Sequence, residues 1–145
     1  MPQVGRLAEL AWRDELCIGE ATIDAQHRGF IDQARHIGAL IDSGAPAADV
    51  LANITAIVAA TAHHFTSEEE IVARHRIPDS IDHRMDHVTI LQQITDRVAE
   101  LSTESPAEEM TTVVRTVVVM LLEHMLLRDM ELRRHFLAME AVTCH

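Results

Sequence analysis

Residues 47–75 read AADVLANITAIVAATAHHFTSEEEIVARH. Val50, Ile54, Ile57, Thr61, His64, Glu68 and Ile71 recur in alternating steps of three and four, which gathers them on one face of an α-helix. No Gly or Pro interrupts the stretch, so it predicts one long helix. Its stripe is apolar at one end and carries an imidazole and a carboxylate at the other. A polar side chain on a core-facing stripe is costly unless it finds a partner.

The same period continues on both sides. Residues 23–41 predict a first helix with stripe Ile23, His27, Phe30, Ala34, Ile37 and Ile41, its start capped by Thr22 or Asp24. The run Asp42, Ser43, Gly44, Ala45, Pro46 breaks it. Beyond the turn marked by Pro78, residues 81–101 carry His83, His87, Ile90, Ile94, Val98 and Leu101. Residues 107–136 carry Val113, Val117, Met120, His124 and Leu127, and their length outweighs the strand preference of Val117, Val118 and Val119. Short connections between four helices predict an all-α, up-down-up-down antiparallel four-helix bundle. Residues 1–19 form an N-terminal arm, with Trp12 packed over a bundle end, and residues 1–145 form one domain.

A formal net charge of −11 argues against a nucleic-acid partner. Residues 113–127, the most hydrophobic run, are interrupted by Arg115, Glu123 and His124 and are too short for a bilayer span. No basic start followed by an apolar run opens the chain, so a cytoplasmic location is expected, with Cys17 and Cys144 as free thiols.

His64 and Glu68 share a helix face, as do His83 and His87. The first pair lies late in helix two and the second early in helix three, at one height in an antiparallel bundle. His27, early in helix one, and His124 with Asp129, late in helix four, reach the same end. His124 and Asp129 are five apart, offset by about 140° at roughly 100° per residue, so the acid must reach sideways. Five imidazoles and two carboxylates in one buried layer suit first-row transition metals and exceed what one ion uses, which points to two ions side by side. His36, His63, His75, His135 and His145 fit no common layer.

These residues resemble a known family, the hemerythrins. His64, Phe65, Glu68 and Glu69 fall as its H-F-x-x-E-E signature, and Ile23, Asp24, Gln26 and His27 as its I-D-x-Q-H. His83 and His87 fall as H-x-x-x-H, and His124 and Asp129 as H-x-x-x-x-D; the resemblance covers about residues 12–133 and is closest to single-domain bacterial members. It implies a non-haem di-iron centre, with His83, His87 and His124 on one iron and His27 and His64 on the other. Glu68, Asp129 and an oxo or hydroxo group would bridge them. Three against two His leaves an open position on the second iron, where the family binds O₂ reversibly. The spacing alone suits manganese or zinc as well.

The resemblance therefore implies an O₂-binding protein, for storage, delivery or sensing, rather than an enzyme. The alternatives are reduction of NO or peroxide at the same centre, or a sensor acting on a separate protein partner. No Glu stands three before any His, which disfavours the E-x-x-H centre of ferritin-like oxidases. A dry pocket is expected from Phe30, Ile31, Phe65, Met120 and Leu127. Asp24 is expected to cap helix one, with Gln26 as a capping group or an outer partner of a ligand. Where the family often has Trp, Met and Tyr, this chain has Met120, Val72 and Ile77.

Overall fold

The structure is a computed structural model that describes residues 5–78 and 81–139. The periodic stretches form α1 (Ala21–Asp42), α2 (Ala47–Arg74), α3 (Ile81–Ala99) and α4 (Ala107–His124). α4 does not stop at His124. It runs through a π turn, Met125–Asp129, into α5 (Met130–Ala138). Each helix packs on the next and α4 closes against α1, giving the expected all-α four-helix bundle, with no strand among the described residues. The rod Ala107–Ala138 is long and apolar enough, by length and composition alone, to cross a membrane. In the bundle Met110, Val114, Val117 and Leu121 spend that apolarity on the core.

The α1 start differs from expectation. Glu20 caps it, accepting a hydrogen bond from the Ile23 amide at 2.8 Å. Asp24 instead ties the arm to the first turn of α1, accepting from the Ile18 amide at 2.8 Å and the Gly19 amide at 3.1 Å. At the other end Gly44 takes φ +74, and Ala45 N–H reaches back to the Leu40 carbonyl at 3.0 Å, closing the helix with a left-handed residue.

Two short 3₁₀ turns, Leu7–Glu9 and Asp14–Leu16, carry the arm along α1. It crosses at Gly38, where a Cβ would lie 2.6 Å from the Ala8 nitrogen and from the Leu7 Cβ, so no larger residue fits without moving the backbone. Trp12 lies under the Arg28 guanidinium, 5.1 Å from the ring centre, and so against the flank of α1 rather than over a bundle end. Cys17 is buried and disulfide-bonded, not the free thiol expected, whereas Cys144 and His145 lie outside the described residues.

Two apolar clusters hold the bundle. The larger includes Phe30, Ile37, Ile54, Ile94, Val114, Leu121 and Met125. The smaller closes one end with Ile18 from the arm, Ile23 from α1, Ile71 and Val72 from α2, Ile77 from the turn, and Leu132 and Phe136 from α5. A layer of buried polar residues marks the change from one to the other: along α1 His27, and along α2 Glu68, falls between them.

Candidate metal centre

That layer holds His27 (α1), His64 and Glu68 (α2), His83 and His87 (α3), His124 (the last residue of α4) and Asp129 (the last of the π turn). None is more than 4% exposed. The π turn explains how the last pair meets. An α-turn would carry position 129 well past the core-facing side, whereas i→i+5 bonding takes up the extra residue and returns Asp129 to the face of His124. Asp129 Oδ1 then lies 3.0 Å from His124 Nε2.

The seven side chains meet as two overlapping groups, Glu68–His83–His87–His124–Asp129 and His27–His64–Glu68–Asp129. Each carboxylate divides its oxygens between them. Glu68 Oε1 is 2.9 Å from His83 Nε2 and 3.4 Å from His87 Nε2, while Oε2 is 3.3 Å from His64 Nε2. Asp129 Oδ1 is 3.0 Å from the Nε2 of both His83 and His124, while Oδ2 is 3.0 Å from His27 Nε2.

The donor set demands a cation. His27 and His64 meet Nε2 to Nε2 at 3.0 Å, and His87 and His124 do so at 3.1 Å. Two neutral imidazoles placed so can share one hydrogen at most. Both oxygens of Glu68 and Oδ2 of Asp129 are buried with no hydrogen-bond partner. With metal–ligand bonds of about 2.1 Å, neighbouring donors of an octahedron stand about 3.0 Å apart and those of a tetrahedron about 3.4 Å. Six of the eight pairs given above fall at 2.9–3.1 Å. Donors at this spacing stand close enough to share an ion.

Without metal the layer holds charge by internal pairing. Burial disfavours a charged His83, but Asp129 and Glu68 outweigh it and push the imidazole up to about 10. Burial and the neighbouring Asp129 oppose an ionised Glu68, yet the close imidazoles of His64, His83 and His87 hold it down to about 2. Burial lowers His64. The raised His83 stabilises the fold fully below its unfolded value of 6.5 and stops doing so as pH climbs through about 10. The depressed Glu68 does so above 4.5 and stops as pH falls through about 2. Thermal melts of chelated protein should therefore give a plateau from this pair between pH 4.5 and 6.5, declining on both sides. A melting temperature independent of pH across that range and beyond it contradicts this pairing.

Aromatic rings wall the layer. Phe65 stacks on His87, with centres 4.0 Å apart and planes at 8°, and its ring lies 5.5 Å from His124 and 5.7 Å from His64. Phe30 sits edge-on to His64 at 5.4 Å, and Ile31 is buried beside it on α1. Of the other expected pocket residues, Met120 is only half-buried and Leu127 is 68% exposed. Carrying an α-helical period through the π turn misplaced Leu127, and the residues buried there are Leu121 and Met125. His36, His63 and His75 are exposed and His135 half-buried, away from the layer.

A helical bundle that encloses five imidazoles around two divided carboxylates is a metal-binding protein. The family model described as Hemerythrin HHE cation binding domain matches residues 19–142, and the chain belongs to the hemerythrin family. It is 31% identical over 107 residues to a Bacteriohemerythrin of Stenotrophomonas maltophilia (strain R551-3), covering 73% of this chain and 69% of that one. No solved structure matches. Membership makes this a non-haem iron protein of the O₂-binding or O₂-sensing kind.

Proposed function

We propose that the chain binds O₂ reversibly at a pair of iron ions, for storage, delivery or sensing. His83, His87 and His124 would hold one ion and His27 and His64 the other, with Glu68 and Asp129 spanning both alongside an oxo or hydroxo bridge. One observation carries this reading. Each carboxylate gives one oxygen to the three-His group and the other to the two-His group, an arrangement that serves two centres and not one.

When bound, such an iron pair supplies two electrons to O₂ and recovers them on release. The residues set where that happens and what is kept out. The His27 and His64 side has one protein donor fewer, so it is the side with room for an outside ligand. Phe30, Phe65 and the two apolar clusters exclude water and its protons. Reducing NO or peroxide consumes protons, and a wall of this kind slows their delivery, which favours the reversible reading.

The test uses the anaerobic ferrous protein. Admitting air should raise charge-transfer bands in the near-ultraviolet and visible, and argon should remove them. His64→Ala should lower the bound iron from two equivalents towards one and abolish the reversible response. Irreversible conversion to the ferric form, or purified protein that takes up no iron, overturns the proposal.

A further inference from the structure

Gln26 immediately precedes His27 but points to the neighbouring helix. Its Oε1 lies 2.7 Å from His64 Nδ1, and its Nε2 donates to Ser67 Oγ at 3.1 Å. A carboxamide oxygen only accepts, so Nδ1 of His64 must carry the ring hydrogen. That leaves Nε2 with its lone pair, and Nε2 is the atom aimed at His27 and Glu68. The reversed amide would ask Nδ1 to accept and would move the hydrogen to Nε2, where it would face a cation. Ser67, one residue before Glu68, anchors the far end of the amide and limits its swing.

Among His27, His64, His87 and His124 this contact is unevenly distributed. The Nδ1 atoms of His27 and His124 have no hydrogen-bond partner, and that of His87 has only the Glu69 carboxylate at 3.5 Å. His64 alone of these four has a short one, and it belongs to the two-His side. The partner is also neutral. A carboxylate there would pull on the Nδ1 hydrogen, raise electron density on Nε2 and favour the more highly charged metal.

We infer that Gln26, anchored by Ser67, is the positioning residue of the two-His half of the centre: it fixes the tautomer and pitch of His64 and, being uncharged, keeps that ion from being biased towards its oxidised state. The inference rests on the two-metal reading. Outer partners of this kind change metal affinity by about 10–100-fold.

Titration of the metal-free chain with Co²⁺ alone, followed by its visible absorption, tests it without any gas reaction. The wild type should take two equivalents. Gln26→Ala should bind the first unchanged and the second about 10–100-fold more weakly. Gln26→Glu, which restores an acceptor, should recover the second equivalent. Loaded with iron, that variant should oxidise in air several-fold faster than the wild type, a change that a purely structural role would not produce. Ser67→Ala should weaken the second equivalent in the wild-type background and add nothing to Gln26→Ala, because Ser67 acts only through the amide. A wild type that takes two equivalents with Gln26→Ala indistinguishable from it overturns this inference alone. A wild type that takes fewer than two overturns the two-metal reading and this inference with it.

Discussion

On the proposed two-ion reading, Glu68→Ala will abolish tight metal binding in both halves of the centre. A His ligand serves one group, so losing it leaves the other group intact, whereas the two oxygens of Glu68 face different groups 2.9 Å from His83 and 3.3 Å from His64. Removing an outer partner costs about 10–100-fold in affinity, and removing a shared ligand costs more than that at each ion. Among the described residues it also leaves Asp129 as the only buried carboxylate to neutralise the two proposed cations, and uncompensated charge in a dry layer is expensive. Anaerobic ferrous titration by calorimetry should show no tight equivalent, where His64→Ala still shows one. One equivalent retained at wild-type affinity in Glu68→Ala would mean that the carboxylate does not bridge.

Stripping the metal will lower the thermal midpoint by roughly 25 °C. A ligand present at about a thousand times its Kd stabilises the native state by about 4 kcal/mol, so the two proposed ions would contribute roughly 8 kcal/mol. At roughly 3 °C per kcal/mol for a chain of this size, that gives the shift stated. The structure gives the cause: three buried carboxylate oxygens of the layer have no hydrogen-bond partner and depend on a cation to replace lost hydration. Melts followed by circular dichroism, before and after chelation and again after iron is restored, measure it. A midpoint that moves by only a few degrees would mean that the layer is satisfied without metal.

The site was legible before the fold was. The stripes placed five His and two acids at one height, and the structure brings all seven together. The pair His124 and Asp129 read poorly for a definite reason. At 100° per residue the acid faces away, and no local sequence feature announces an i→i+5 turn; the demand of two polar residues for one buried face was the signal. The same regular period sent Leu127 inward when it is exposed, and passed over Met125 and Leu121. Glu20 was missed as the cap because Thr and Asp are the stronger capping types and both stood nearby. Gln26 was ambiguous because an amide beside a helix start can cap or reach outwards, and only the neighbouring helix decides. The state of Cys17 is not something a count of two cysteines can reveal.

The extra residue of the π turn has a consequence beyond aiming Asp129. It acts as a clutch between two segments of one rod. Upstream, the angular setting of α4 is fixed by Val114, Val117 and Leu121 against the barrel of the bundle. Downstream, that of α5 is fixed by Leu132 and Phe136, which close the end over Ile18 and Ile77. In an unbroken α-helix these settings would be locked together, and improving one fit would spoil the other. Slipping one residue between them resets the phase of α5 against α4 by about 100°, so that one continuous rod meets both fits.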